Sequence, residues 1–392
     1  MCRRSRSHRF ASTREKHLRP TWRVIGAATL WLVLEWYGAT SEVSWLFLLA
    51  AWVLAFIAAC FGYALWNRAG LRLHLAAAAT RPGELSPSHE LPEHLLRTGP
   101  LPAPIFEGDD LSIEVGLNTT GSSRGPAWVA GSVAGSDVIF GTGLVPTTGW
   151  RRTKLLRSVR RGSVGATRWR IGSSDPLGFF RGTRACPDIE VALVLPRFGS
   201  LAGRGPAREL EASLVAPRAG SGTELFGIRE YRPGDSLRRI HWRSSARHGE
   251  LVVREYEPPG AQTLGLFLDP APATVDVADQ VARIAASEAW DCIREGGRVT
   301  LWAPGLQATE PAQGRDLWAV LEWLARYPGA LADDPPPPAT EAVMVSGTAD
   351  ARLVEAVESA RRRGARTRGW IIGEADVDLD AVVERVGVGW PL

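Results

Sequence analysis

The sequence predicts an α+β multidomain chain: an N-terminal transmembrane helical hairpin, a β-sandwich-like domain, then an α/β domain with a mostly parallel sheet. Three observations predict it. Val43 to Trp66 is a run with no charged side chain. Between 105 and 196, short alternating runs are separated by Gly, Pro, Asn and Ser. From 262 onward, apolar strand-like runs alternate with segments of helical spacing. At 392 residues the chain exceeds one ordinary core. Its 45% hydrophobic and 22% charged residues exclude wholesale disorder.

The first element is a basic arm, residues 1–23, with eight Arg or Lys against the single acid Glu15, a net +7. The whole chain carries +4, so the remainder is slightly acidic and the basic balance does not indicate a nucleic-acid protein. The hairpin follows at 24–66. A helix over Val43–Trp66 is about 36 Å long, enough for a hydrocarbon core of about 30 Å. Trp45 and Trp66 sit near its ends, where aromatic rings favour the interface. The preceding apolar run, Val24–Tyr37, is interrupted by Glu35 and turns back at Gly38–Glu42. The basic arm, the turn without Lys or Arg, and Arg68 and Arg72 after the second run predict two spans with both termini cytoplasmic. The arm serves as a topology signal, with adsorption to anionic head groups as a second role. The four cysteines, Cys2, Cys60, Cys186 and Cys292, form no CxxC spacing, which fits a reducing compartment.

Residues 67–104 read as a Pro-rich stalk, with a short helical-looking stretch at Gly70–Thr80. The β-sandwich-like domain spans 105–200, with strands at Leu111–Leu117, Val138–Phe140, Lys154–Val159, Val164–Ile171 and Ile189–Leu195. Residues 201–261 form a distinct segment. The α/β domain spans 262–392, with strands at Thr263–Leu268, Arg298–Trp302, Ala342–Val345 and a last one at Gly369–Ile372. Helices fall at Val277–Ile293, Asp316–Arg326 and Ala349–Arg362, and right-handed crossovers would place helices on both faces of the sheet.

The segment richest in chemistry is 222–257. Pro233-Gly234-Asp235 is strong turn sequence, and Asp235 can cap a helix over Ser236–Ser245. On that helix Asp235, Arg239, Arg243 and Arg247 follow one another at four-residue spacing, and Ile240 and Trp242 supply apolar anchors. Guanidiniums and carboxylates at this density can build a bidentate ion-pair network. The stretches Gly222-Thr-Glu224, Arg229-Glu230-Tyr231, Pro233-Gly234-Asp235, Arg238-Arg239-Ile240, Trp242-Arg243, Ala246-Arg247 and Val253-Arg-Glu255 closely resemble the signature of the family called "domain of unknown function 58". Glu107-Gly108, Arg161-Gly162, Asp175-Pro-Leu-Gly-Phe179 and Val194-Leu-Pro196 resemble that family in order, as does the two-helix anchor.

The resemblance implies a membrane-anchored protein with a von Willebrand factor A-like domain. It also implies a MoxR-type AAA+ ATPase as partner, with a transglutaminase-like membrane protein often alongside, and a non-enzymatic adaptor or assembly role in envelope-related processes. It brings no enzymatic activity and no cofactor. The partner-binding or structural motif would comprise Glu224, Arg229, Glu230, Tyr231, Gly234, Asp235, Arg238, Arg239, His241, Trp242, Arg243 and Arg247.

The metal-binding Asp-x-Ser-x-Ser of von Willebrand A domains corresponds here to Asp269-Pro-Ala-Pro-Ala273, which keeps the carboxylate and lacks both hydroxyls, so Asp269 is a weak metal candidate. GxSxG and GxxxxGK[ST] are absent, so neither an esterase nucleophile nor ATP hydrolysis is expected. A hydrolase using Asp235 and His241 as an acid/base pair is the alternative from another class. An anionic-lipid-surface protein is a third reading. Glu224, Glu230, Asp235, Glu250, Glu255 and Glu257 offset the arginines, which favours internal pairing or protein contact over a nucleic-acid track.

Overall fold

The uncharged run closes into one continuous helix, α2 (Ser44–Ala69), preceded by α1 (Trp22–Ser41). The computed structural model describes residues 17–89, 91–92, 95, 104–201, 225–230, 245, 252–256, 263–310, 314–375, 377, 379 and 381–389. The chain divides into two units at Leu195/Pro196. At about 1.5 Å per residue α2 reaches roughly 39 Å, and it is long and apolar enough to cross a membrane. α1 ends where Glu42 takes a φ of 54°, and the chain turns back. Buried Gly38 allows the helices to meet, since a Cβ there would lie 3.3 Å from that of Leu46.

The rest of the first unit is β structure. β1 (His17–Pro20) precedes α1, and β2 (Leu71–Arg81) follows α2 after one residue. β3 (Ile105–Phe106), β4 (Asp110–Thr119), β5 (Ala127–Val133), β6 (Ser136–Thr142), β7 (Trp150–Leu156), β8 (Gly162–Ser174), β9 (Phe180–Ala185) and β10 (Ile189–Leu195) complete it. β2, β4 and β7 form one antiparallel sheet. The long β8 organises the other, pairing β10 along its first part, β9 along its last part and β5 on its opposite edge. β1 adds beyond β9, β3 adds in parallel beyond β10, and β6 pairs with β5. Leu111, Ile113, Val115 and Leu117, on alternate positions of β4, join Val129, Trp169 and Ile171 of the larger sheet in one apolar core.

Two sequence expectations are corrected here. Gly70–Thr80 is not helical: Leu71–Arg81 is an eleven-residue strand paired with β4 over nearly its whole length, so residues 67–104 are not simply a stalk. The Ala76–Ala79 run suits a helix locally, but pairing with β4 supplies its hydrogen bonds and overrides propensity. The end of the basic arm, His17–Pro20, is likewise a paired strand.

In the second unit, β11 (Leu225–Glu230) and β12 (Val252–Tyr256) form an antiparallel ladder. β13 (Thr263–Leu268), β14 (Arg298–Trp302), β15 (Glu341–Ser346), β16 (Arg366–Ile372) and β17 (Val382–Val386) form an all-parallel sheet in the order β14-β13-β15-β16-β17. The strand at Gly369–Ile372 is therefore not the last, because β17 follows it. α3 (Val275–Arg294), α4 (Leu317–Arg326) and α5 (Ala351–Arg362) start at side-chain caps, with Thr274, Asp316 and Asp350 accepting from backbone N–H groups at 3.2, 3.0 and 3.0 Å. α5 covers the sheet face that presents Phe267, Met344 and Ile371. Side chains alternate along a strand, so Glu341, Arg368 and Trp370 project from the opposite face. There Arg368 and Trp370 donate to Glu288 of α3, and Arg368 also to Glu341, which places α3 and α5 on opposite faces.

Candidate functional site

From β13 the chain runs outward to β14 and then returns across β13 to β15, so the strand order reverses between β13 and β15. In open α/β sheets the carboxyl ends of the strands at such a switch point are where ligands bind. Asp269 lies there, immediately after β13 and fully buried. Its Oδ1 accepts from the Ala271 N–H at 2.9 Å and from the Thr348 hydroxyl at 3.0 Å. Its Oδ2 accepts from the Gly347 N–H at 3.0 Å, the Ser346 hydroxyl at 3.2 Å and the Thr348 hydroxyl at 2.9 Å. Its backbone N–H donates to Val345 O at 3.1 Å, and its carbonyl accepts from the Tyr327 hydroxyl. A Cβ on Gly347 would sit 2.5 Å from Val277 Cγ1, so only glycine brings this N–H so close to the carboxylate.

The carboxylate is thus a clasp between two strand ends. The hydroxyls missing from Asp269-Pro-Ala-Pro-Ala273 are replaced by Ser346 and Thr348 at the end of β15, 77 and 79 residues away. A hard divalent cation takes six or more oxygens. Here the Ser346 and Thr348 hydroxyls are directed at the acid as donors, and among the described residues no three His, Cys, Asp or Glu converge. The described residues around Asp269 do not fit a metal centre.

A second cluster lies on the α3 face. The Arg368 guanidinium binds Glu288 through both terminal nitrogens and Glu341 through Nε at 2.6 Å, while Trp370 Nε1 donates to Glu288 at 2.8 Å. Burial alone would make Arg368 a weaker base, but the charges and hydrogen bonds of Glu288 and Glu341 outweigh it and hold Arg368 above its ordinary value. Along the same helix Ser287 and Asp291 accept from the Gly199 and Leu201 N–H groups at 3.3 and 2.8 Å, and Phe198 packs on Trp290 with ring centroids 5.6 Å apart. α3 is therefore buried on its polar side as well as its apolar one.

Of the motif residues, Arg229 and Glu230 lie in β11, opposite Val253 and Val252 of β12, so the two ends of the signature form an antiparallel ladder. Glu224, Tyr231, Gly234, Asp235, Arg238, Arg239, His241, Trp242, Arg243 and Arg247 lie outside the described residues. Of the other family-like stretches, Glu107-Gly108 and Asp175-Pro-Leu-Gly-Phe179 occupy turns, whereas Gly162 opens β8 and Val194-Leu195 end β10. Asp175 is buried and accepts from the Leu177 and Phe180 N–H groups at 3.0 and 2.6 Å, closing the β8–β9 hairpin, while Gly108 takes a φ of 90° after β3.

These features define a two-unit protein with a membrane-length helix, a two-sheet β unit and a parallel α/β unit. Residues 227–341 match the family model described as "Protein of unknown function DUF58". The match begins within β11 and ends at the first residue of β15, enclosing Asp269, α3 and Glu288. The chain is also similar to "Uncharacterized protein YeaD" of Bacillus subtilis (strain 168), 26% identical over 105 residues. That stretch is 27% of this chain and covers 23% of that protein's length.

Proposed function

We propose that the protein is a membrane-anchored, non-enzymatic adaptor or assembly factor that acts through protein contacts with a MoxR-type AAA+ ATPase. The second unit is read as a von Willebrand factor A-like domain. Both α1 and α2 are read as spans with cytoplasmic termini, which leaves both units on the cytoplasmic side. The observation that carries the non-enzymatic reading is the Asp269 clasp. The acid at the switch point has both oxygens committed to protein donors, leaving none free to bind a ligand or move a proton. The Arg/Asp motif around Asp235 and Arg238 is assigned to the partner contact. A transglutaminase-like membrane protein belongs to the same proposed assembly.

The test is crosslinking and affinity purification of the membrane-embedded protein from its own cells, comparing wild type with Asp235→Ala and Arg238→Ala. Recovery of an AAA+ ATPase with wild type and its loss with folded variants is expected. Absence of any ATPase from the wild-type sample would sink the adaptor reading and turn attention to a hydrolase using Asp235 and His241.

A further inference from the structure

Five arginines surround the place where α1 begins and α2 ends. Arg19 of β1 sits directly opposite Arg181 of β9, and both are exposed. Arg68, in the last turn of α2, lies over Gly182 of β9, 3.2 Å from where a Cβ would be. Arg184 lies one strand position further on and reaches the carbonyl of Leu71. Arg23 is exposed and donates to the carbonyl of Leu177 at 2.5 Å. Among the described residues none of the five forms an ion pair with a carboxylate. The nearby acid, Asp175, is buried and satisfied by backbone N–H groups.

This arrangement breaks a local rule. Like charges directly opposite one another on an antiparallel pair are destabilising. Arg68 Nη2 is buried without a hydrogen-bond partner. Uncompensated violations of this kind concentrate at functional positions. The surroundings indicate the ligand. Trp22, 77% exposed, begins α1 beside Arg23, and exposed Leu177 caps the β8–β9 hairpin. That hairpin packs against α2 through Phe179 on Phe56 and Phe180 on Phe61, at centroid distances of 6.2 and 5.3 Å. The arginines therefore lie beside the cytoplasm-facing end of the apolar helix, mixed with an exposed tryptophan and leucine. Cations and amphipathic aromatic rings together favour the head-group layer.

We propose that this collar is a binding site for anionic phospholipid head groups, with Arg19, Arg68 and Arg181 contacting the phosphate and Trp22 and Leu177 entering the acyl boundary. The proposal rests on the reading of α2 as a membrane span and adds lipid selectivity to it. It makes the β unit a surface-seated module.

The test uses the full-length protein in neutral detergent, titrated with short-chain phosphatidylglycerol and with phosphatidylcholine of the same chain length, followed by tryptophan fluorescence. Wild type should bind phosphatidylglycerol roughly tenfold or more tightly than phosphatidylcholine. Arg19→Gln/Arg181→Gln removes two exposed side chains that repel each other, so folding should survive while the preference falls to near unity. Arg68→Gln should reduce it as well. Equal binding of the two lipids by wild type, or an unchanged preference in the double variant, overturns the proposal. So does displacement of the lipid by equimolar inorganic phosphate, which would mark a free-anion site. Alkaline carbonate extraction of native membranes separates the two readings. A protein released by carbonate refutes the membrane span itself, whereas one retained without lipid preference refutes the collar alone.

Discussion

Asp269 illustrates what one buried carboxylate can do when every neighbour is a donor. Asp269→Asn preserves its shape, but whichever way the amide turns, its NH₂ faces either the Ala271 or the Gly347 N–H, which can only donate, and leaves that N–H unsatisfied. The variant should lose about 1–3 kcal/mol, measured by thermal or chemical unfolding. The loss should be the same with and without millimolar Mg²⁺. A wild-type melting temperature that rises with Mg²⁺ while the variant's does not would show that the clasp opens to a cation. Arg368 makes a contrasting case. Arg368→Met strands the Glu288 carboxylate in a buried site and should cost about 3–5 kcal/mol. Adding Glu288→Leu should recover part of it, incompletely because Trp370 then loses its acceptor. A double-mutant cycle in denaturant measures that coupling. Cys186 offers a pH test. Burial raises its thiol above the ordinary 9.0, with Arg184 opposing. The neutral thiol is the form the fold favours, so its contribution is complete below pH 9 and is lost as pH rises through the folded value. Alkylation of Cys186 at pH 8, resolved by mass spectrometry, should be slower in the native than in the denatured protein. The acid of the clasp was legible in the sequence as the end of an apolar strand. Its partners Ser346 and Thr348 were not, because nothing in a linear pattern links positions 77 and 79 residues apart.

At the level of elements, the junction between α2 and the β unit is tight. Buried Asn67 donates to the carbonyls of Pro126 and Ser174 at 3.1 and 2.9 Å, and the Tyr63 hydroxyl donates to Gly125 O at 2.6 Å. Arg124 binds the Trp66 carbonyl and stacks 3.8 Å from that ring's centroid. Asn67→Leu removes two hydrogen bonds, those to Pro126 O and Ser174 O, while Pro126 O keeps the Ser174 N–H at 3.3 Å, a loss of about 1–3 kcal/mol. It should appear as faster amide exchange around 120–126 and along the end of β8. Unchanged exchange there would mean that the helix only touches the β unit. The elements of the second unit were readable because strand and helix periods alternate cleanly and each helix carries its own cap. In the first unit β4, β8 and β10 were readable from alternation, whereas β1, β2 and β9 were not. β1 and β9 are short and rich in arginine without alternation, and in β2 the alternating Leu71-Arg72-Leu73-His74-Leu75 runs into four alanines that suit a helix, so neighbouring strands decide their structure.

For the whole molecule, the consequence is that the apolar helical pair is built into the β unit rather than appended to it. β1 lies before α1 in sequence yet completes the edge of β9. The last turn of α2 supplies Asn67 to the interior, and β2 starts immediately after it. A cut at Gly70, just after α2, therefore removes an edge strand and a buried polar clamp as well as the apolar helices. A chain starting at Gly70 should retain the second unit with native exchange protection, because the described residues of its apolar core all lie after Pro196. Its first unit should lose protection in β8 and β9, where β1 and Asn67 are missing, and should aggregate through the bare β9 edge. Hydrogen exchange of the truncated chain against the full-length protein in detergent measures both halves of this expectation. If β9 stays as protected as in the full chain, the hairpin is a detachable tether. If β9 opens while β13–β17 stay closed, membrane insertion and folding of the β unit are a single event, and any partner that pulls on the β unit also pulls on α2.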